Sequence, residues 1–165
     1  MDVNEKIVYA WLASKNYFII DGIDYGQFHS DIDILAVNIK TKEILDCEVK
    51  IRTGSTKISG GENKQNGFLH FVNQLNALDR NDKIEDIVGG SHGYHIKKIF
   101  ITTYSLLGKP INRSKWISKF TQENIEVRFI EDIVQELEQH ALSLPLSKNE
   151  VVQILRLQSI KNKLK

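Results

Sequence analysis

The apolar positions along this chain change period several times, and each change marks an element. Val3, Ile7, Val8, Trp11 and Leu12 recur at helical spacing and predict a first helix over residues 3–14, with Asp2 as its N-cap. A strand is expected over residues 17–23, closed by Gly22 and the turn-forming stretch 24–26. Two alternating runs follow, DIDILAV at 31–37 and ILDCEVKI at 44–51, with a turn at 40–42. So short a connection predicts a hairpin. In the second run Leu45, Cys47, Val49 and Ile51 share one face, and Asp46, Glu48, Lys50 and Arg52 share the other.

Residues 52–67 are rich in Gly, Ser, Asn and Lys and read as a loop. Phe68, Phe71, Val72 and Leu75 then return to helical spacing. A polar segment with Gly89, Gly90 and Gly93 leads to a strand at 98–103. After Pro110 come a helix around 114–121, an alternating strand at 125–129 and a helix over 131–142. Pro145 interrupts, and Ser147 and Glu150 have capping-box spacing before a last helix that ends near Lys163. The order is helix, three strands, helix, strand, helix, strand, helices. A strand-rich start of this kind predicts an α/β domain with a mixed central sheet and helices on both faces. Residues 1–142 form the domain in this reading. Residues 143–165 form a C-terminal helical extension, packed on the domain or on a second subunit.

A chain of 165 residues suits one domain and can bury a core without disulfides or structural zinc. Cys47 is the single cysteine and falls on an apolar strand face, which reads as a small buried hydrophobe. No basic stretch followed by an apolar run opens the chain, and no apolar stretch approaches the ~18 residues of a membrane span. A soluble cytoplasmic protein is the expectation. The net charge of +1 decides nothing about nucleic acid, because phosphate binding needs a local basic surface rather than a basic total.

The chemistry lies in the hairpin. Glu48 and Lys50 are two residues apart on a strand, so they share a face about 6.6 Å apart. Asp33 lies on the adjacent strand with Asp31 on its own face, so three acidic groups and a lysine converge. Crowded carboxylates raise one another's pKa, and a divalent cation relieves the crowding. Mg²⁺ prefers one or two carboxylates together with waters and phosphate oxygens. A lysine beside such an ion can orient or deprotonate a water and offset developing negative charge.

Glu5 on the first helix, then Asp33, then Glu48–Val49–Lys50 resembles the PD-(D/E)XK nuclease superfamily, whose order is a helical Glu, a strand Asp and E-x-K on the next strand. Asp31–Ile32–Asp33–Ile34 is similar to the Asp strand of the branch with archaeal Holliday-junction resolvases and Mrr-like restriction enzymes. The residue before Asp33 is Ile32, where other members carry Pro, and Gln74 is followed four positions on by Leu78 rather than the Tyr of RecB-like members. The resemblance implies a restriction-endonuclease-like αβββαβ core and metal-dependent cleavage of DNA. Asp33, Glu48 and the Val49 carbonyl would bind Mg²⁺ or Mn²⁺, Lys50 would position the attacking water, and Glu5 would complete the acidic cluster. Two-strand cleavage of a duplex implies a homodimer. The alternative is a non-catalytic nucleic-acid-binding or assembly module on the same fold.

Glu5 also has a purely structural reading, since a Glu three residues after Asp2 caps a helix start. Arg52, Lys57 and Lys64 are candidates to strap a nucleic-acid backbone, and Gln74 is a candidate to line the cleft with His70. His92 and His95 lack the further ligands of a zinc site.

Overall fold

The computed structural model describes residues 2–26, 30–52, 58, 67–90, 93–143 and 148–163. The order is α1 (Val3–Ser14), β1 (Phe18–Tyr25), β2 (Ser30–Asn38), β3 (Glu43–Lys50), α2 (Phe68–Leu75), α3 (Leu78–Ile87) and β4 (His95–Thr102). It continues through α4 (Tyr104–Leu107), α5 (Pro110–Gln122), β5 (Ile125–Phe129), α6 (Ile130–Ser143) and α7 (Glu150–Lys163). The five strands form one sheet in sequence order. β1, β2 and β3 pair antiparallel, whereas β3, β4 and β5 pair parallel. A mixed sheet flanked by helices is therefore what the chain forms.

The alternation of each strand divides the core. Ile34, Ala36, Leu45, Cys47, Ile99 and Ile101 point to one face, where α1, α6 and α7 bury Val8, Trp11, Leu12, Ile133, Leu137, Val152 and Leu155. On the other face Phe100 and Ile125 pack with Phe71, Val72 and Leu75 of α2 and Phe120 of α5. Leu35 and Ile44 pack there with Ile84 of α3. The expected faces of β3 are the observed ones, and Cys47 is fully buried.

Local signals set several ends. Asp2 accepts the N–H groups of Asn4 at 2.7 Å and Glu5 at 2.9 Å, while Glu5 Oε2 accepts the Asp2 N–H at 2.8 Å. This is a full capping box. Pro110 opens α5, a turn earlier than the apolar spacing indicated, because Pro suits the first helical position. Asn149 Oδ1 accepts the N–H groups of Val151 at 3.0 Å and Val152 at 3.3 Å, so Asn149 caps α7. Ser147, expected in that role, lies outside the described residues. α7 packs on α1 and α6 of its own domain. Trp11 is core, and Trp116 is half-buried against Phe68.

One helix departs from the sequence reading. Residues 78–87 were expected to be part of a polar connection and instead form α3. Its sequence, LDRNDKIEDI, is mostly polar, with Ile84 and Ile87 packed into the core. Arg80 and Ile84, one turn apart, are its buried residues, so a charged side chain occupies a position that normally identifies a helix by its hydrophobicity.

Candidate active site

The site begins where β2 parts from β3. Their ladder runs from Asn38–Glu43 to Ile34–Cys47. One step further Asp33 stands level with Glu48, and there Asp33 Oδ2 accepts the backbone N–H of Val49 at 2.6 Å. A carboxylate thus takes a donor that the ladder no longer uses. On the other side of β2 the ladder with β1 steps from Asp21–Ile34 to Ile23–Ile32, with Gly22 level with Asp33. Gly22 has φ +66°, a conformation that costs glycine little. Ile34 joins the core beneath α1, yet Ile32 joins the core on the opposite face with Ile23. Strict alternation would keep Ile32 and Ile34 on one face, and the change of core falls at Gly22 and Asp33, the step where the ladder lacks a pair.

Glu48 is buried on the α3 side of the sheet, beside fully buried Asp46. Both meet Arg80, whose side chain is also fully buried. Arg80 Nε lies 3.1 and 3.2 Å from the two oxygens of Asp46, and Nη2 donates to Asp46 Oδ1 at 2.7 Å. Nη1 donates to Glu48 Oε2 at 3.1 Å. The guanidinium also lies over the Tyr25 ring at 5.6 Å. The forked pair on Asp46 explains how an acid can occupy the middle of a buried strand.

Burial pushes the Asp33 carboxyl up from 3.8 to about 6, against the Val49 hydrogen bond that lowers it, and the charges of Asp31 and Glu5 raise it further. Burial pushes Glu48 up from 4.5 to about 8, with the charge of Asp33 next in effect, and Arg80 opposes both. Burial and the neighbouring carboxylate therefore outweigh the guanidinium. The charge of Asp33 bears directly on Glu48, and a proton or a cation at the pair relieves it.

Lys50 follows Glu48 on the same strand face and is half-buried. Its carbonyl accepts the Thr102 hydroxyl at 2.8 Å, and its ammonium has no ion pair with a described residue. Glu5 is placed by the capping box, and its charge reaches Asp33 from α1. Its two readings, cap and member of the acidic cluster, are thus compatible. Arg52 is exposed, and its carbonyl accepts the hydroxyls of Thr103 and Ser105, each at 2.8 Å. Gln74 is half-buried on α2 and makes no side-chain hydrogen bond to a described residue. Lys57 and Lys64 lie outside the described residues, as does His92.

The donor set suits a hard divalent ion. No donor among the described residues reaches Asp33 Oδ1 or Glu48 Oε1, so each carboxylate keeps one oxygen available. The Val49 N–H faces Asp33. In an extended strand the carbonyl of a residue faces the same neighbour as its N–H, which turns the Val49 oxygen toward the same gap. Among the described residues there is no group of three or more His, Cys, Asp or Glu side chains that could hold a metal. Two carboxylates and a carbonyl are enough for Mg²⁺, which keeps several of its waters.

Arg80 is the residue that sequence reasoning missed. The signal for it was Asp46, an acid flanked by Leu45 and Cys47 in a strand with a covered face on each side. Such an acid needs a buried cation.

No family model matches the chain, and no curated protein does. The chain is similar to the solved structure of AF1548, described as a protein of unknown function, at 12% identity and a TM-score of 0.49, over 88% of this chain and 72% of that one. No helix among the described residues is long and apolar enough to cross a membrane.

Proposed function

We propose that this chain is a metal-dependent endonuclease of PD-(D/E)XK type, hydrolysing phosphodiester bonds in DNA as a homodimer. In this reading the sheet and its helices are a restriction-endonuclease-like core. The observation that carries the proposal is that half-buried Asp33 and buried Glu48 stand level on neighbouring strands, each with one oxygen that no described residue donates to, on the strand face that also carries Lys50. The arrangement fits Mg²⁺, with Mn²⁺ as a substitute, held by Asp33, Glu48 and the Val49 carbonyl. The ion would polarise a phosphoryl oxygen and lower the pKa of a water. Lys50 would orient that water by donating a hydrogen bond and would offset the negative charge that develops on the phosphate. Glu5 would add negative charge from α1. Arg52, Lys57, Lys64 and Gln74 would contact the nucleic acid.

The distribution of charge supports a polyanionic partner. From Ile87 to Gln122 there is no acidic residue, and besides Lys97, which is paired with Glu43, the segment carries Lys98, Lys109, Arg113, Lys115 and Lys119. Arg113, Lys115 and Lys119 belong to α5, which follows the strand end where Thr102 is paired with Lys50. A local basic surface can bind phosphates in a protein of small net charge.

A second reading rests on Arg80. A guanidinium already paired with Glu48 lowers the negative charge of the site, as suits a non-catalytic nucleic-acid-binding or assembly module on the same fold. A cleavage assay separates the two. Plasmid, linear duplex, single-stranded and four-way-junction DNA are incubated with Mg²⁺ and with Mn²⁺, using wild type and Glu48→Ala. Cleavage by wild type alone supports the nuclease. DNA binding without cleavage, and without Mn²⁺ binding by calorimetry, supports the module.

A further inference from the structure

The Arg80 guanidinium is fixed before it reaches Glu48. Its Nε and Nη2 grip Asp46, both side chains are fully buried, and the guanidinium lies over the Tyr25 ring at 5.6 Å. A planar guanidinium anchored on one edge has no freedom to move Nη1 independently. Nη1 therefore defines where Glu48 Oε2 must lie, 3.1 Å away. Glu48 is left with one oxygen, Oε1, to offer a ligand.

We infer that Arg80 is a positioning residue that restricts Glu48 to one-oxygen coordination and thereby sets the ion preference of the site. The inference rests on the proposed metal role of Asp33 and Glu48 and adds a property to it. Ca²⁺ takes six to eight oxygens and commonly uses both oxygens of a carboxylate, whereas Mg²⁺ takes six at short distance and keeps much of its water. A glutamate with one oxygen held by a guanidinium can satisfy the second ion better than the first. Asp33 is limited in the same way, because its Oδ2 accepts the Val49 N–H. The two carboxylates thus present one oxygen each, a set for a small octahedral ion and too sparse for a large one. Asp46, though acidic and adjacent, is kept out of the ligand set by the forked bond to Arg80.

Arg80→Lys tests this directly, because a single ammonium engaged by Asp46 cannot also hold Glu48 in the same geometry. Calorimetric titration of Mn²⁺ and of Ca²⁺ into wild type and variant gives the ratio of the two affinities without any need for cleavage. In the variant Mn²⁺ affinity should fall by about tenfold, the lower end of the scale for removing an outer partner of a metal ligand, and the ratio should move toward Ca²⁺ accordingly. An unchanged ratio in a folded variant would overturn the role of Arg80 while leaving the metal site standing. If wild type binds neither ion, the metal reading itself falls, and this inference with it. Wild type also gives an answer that needs no variant. The buried, hydrogen-bonded Arg80 Nη protons should exchange slowly in NMR spectra and keep that protection when Mg²⁺ saturates the site. Loss of that protection on binding would mean that Glu48 leaves Arg80 to meet the ion, and would overturn the inference.

Discussion

Asp33 accepts the backbone N–H of Val49 at 2.6 Å, at the point where the β2–β3 ladder has ended. The bond does two things. It closes the gap left by the diverging strands, and it occupies one of the two carboxylate oxygens. Asn at position 33 could still accept the bond through its carbonyl but would carry no charge. Asp33→Asn should therefore melt at or above the wild-type temperature at pH 8 while losing Mn²⁺ binding in calorimetry. A variant that bound Mn²⁺ as wild type does would remove Asp33 from the ligand set.

Lys50 has no ion pair with a described residue, so its removal disturbs little of the fold. Lys50→Ala should keep the melting temperature within a few degrees and retain Mn²⁺ binding. Its cleavage rate should fall by about 10²–10³-fold, the scale of losing one donor aimed at developing negative charge. Cleavage at the wild-type rate would show that another group orients the water.

The pH dependence of stability follows from the two raised carboxyls. Asp33 moves from 3.8 to about 6 and Glu48 from 4.5 to about 8 on folding. The native state thus holds more protons than the unfolded chain between about pH 4 and pH 8, and their contribution to stability falls as pH rises across that window. In EDTA, wild type should lose melting temperature relative to Glu48→Gln between pH 5 and pH 8, and Mg²⁺ should reverse most of the loss. A wild-type curve parallel to that of Glu48→Gln would show that Glu48 ionises freely in the folded protein.

Arg80 and Asp46 are fully buried partners. Arg80→Leu leaves Asp46 without its cation and should cost about 3–5 kcal/mol in denaturant unfolding. Combining it with Asp46→Leu should recover most of that loss, because a buried pair replaced by apolar groups is nearly neutral. If the double variant is as unstable as Arg80→Leu alone, then Arg80 supports the fold through Glu48 or Tyr25 instead.

The sheet and most helices were legible because periodicity is a local property. Leu45, Cys47 and Val49 alternate with Asp46, Glu48 and Lys50, and the structure puts the two sets on opposite faces. Asp2 and Glu5 announce α1 by their spacing alone, since a capping box is complete within one turn. The chain also determined by itself that Asp33 and Glu48 would lie on neighbouring strands, because a short turn forces a hairpin. Tertiary structure decided the rest. α3 is mostly polar, and beside Ile84 and Ile87 it is seated by Arg80, which finds Asp46 and Glu48, residues 34 and 32 positions away in sequence. No spacing rule contains that pairing. Gly22 marks the break in the sequence as the end of a strand, but β1 runs through it to Tyr25, and Ile32 and Ile34 on its partner strand are buried in different cores. Both are consequences of burial, which acts on the assembled domain and is invisible to any window of the chain: a charge inside must find its opposite, and a strand changes face where two cores share its side chains.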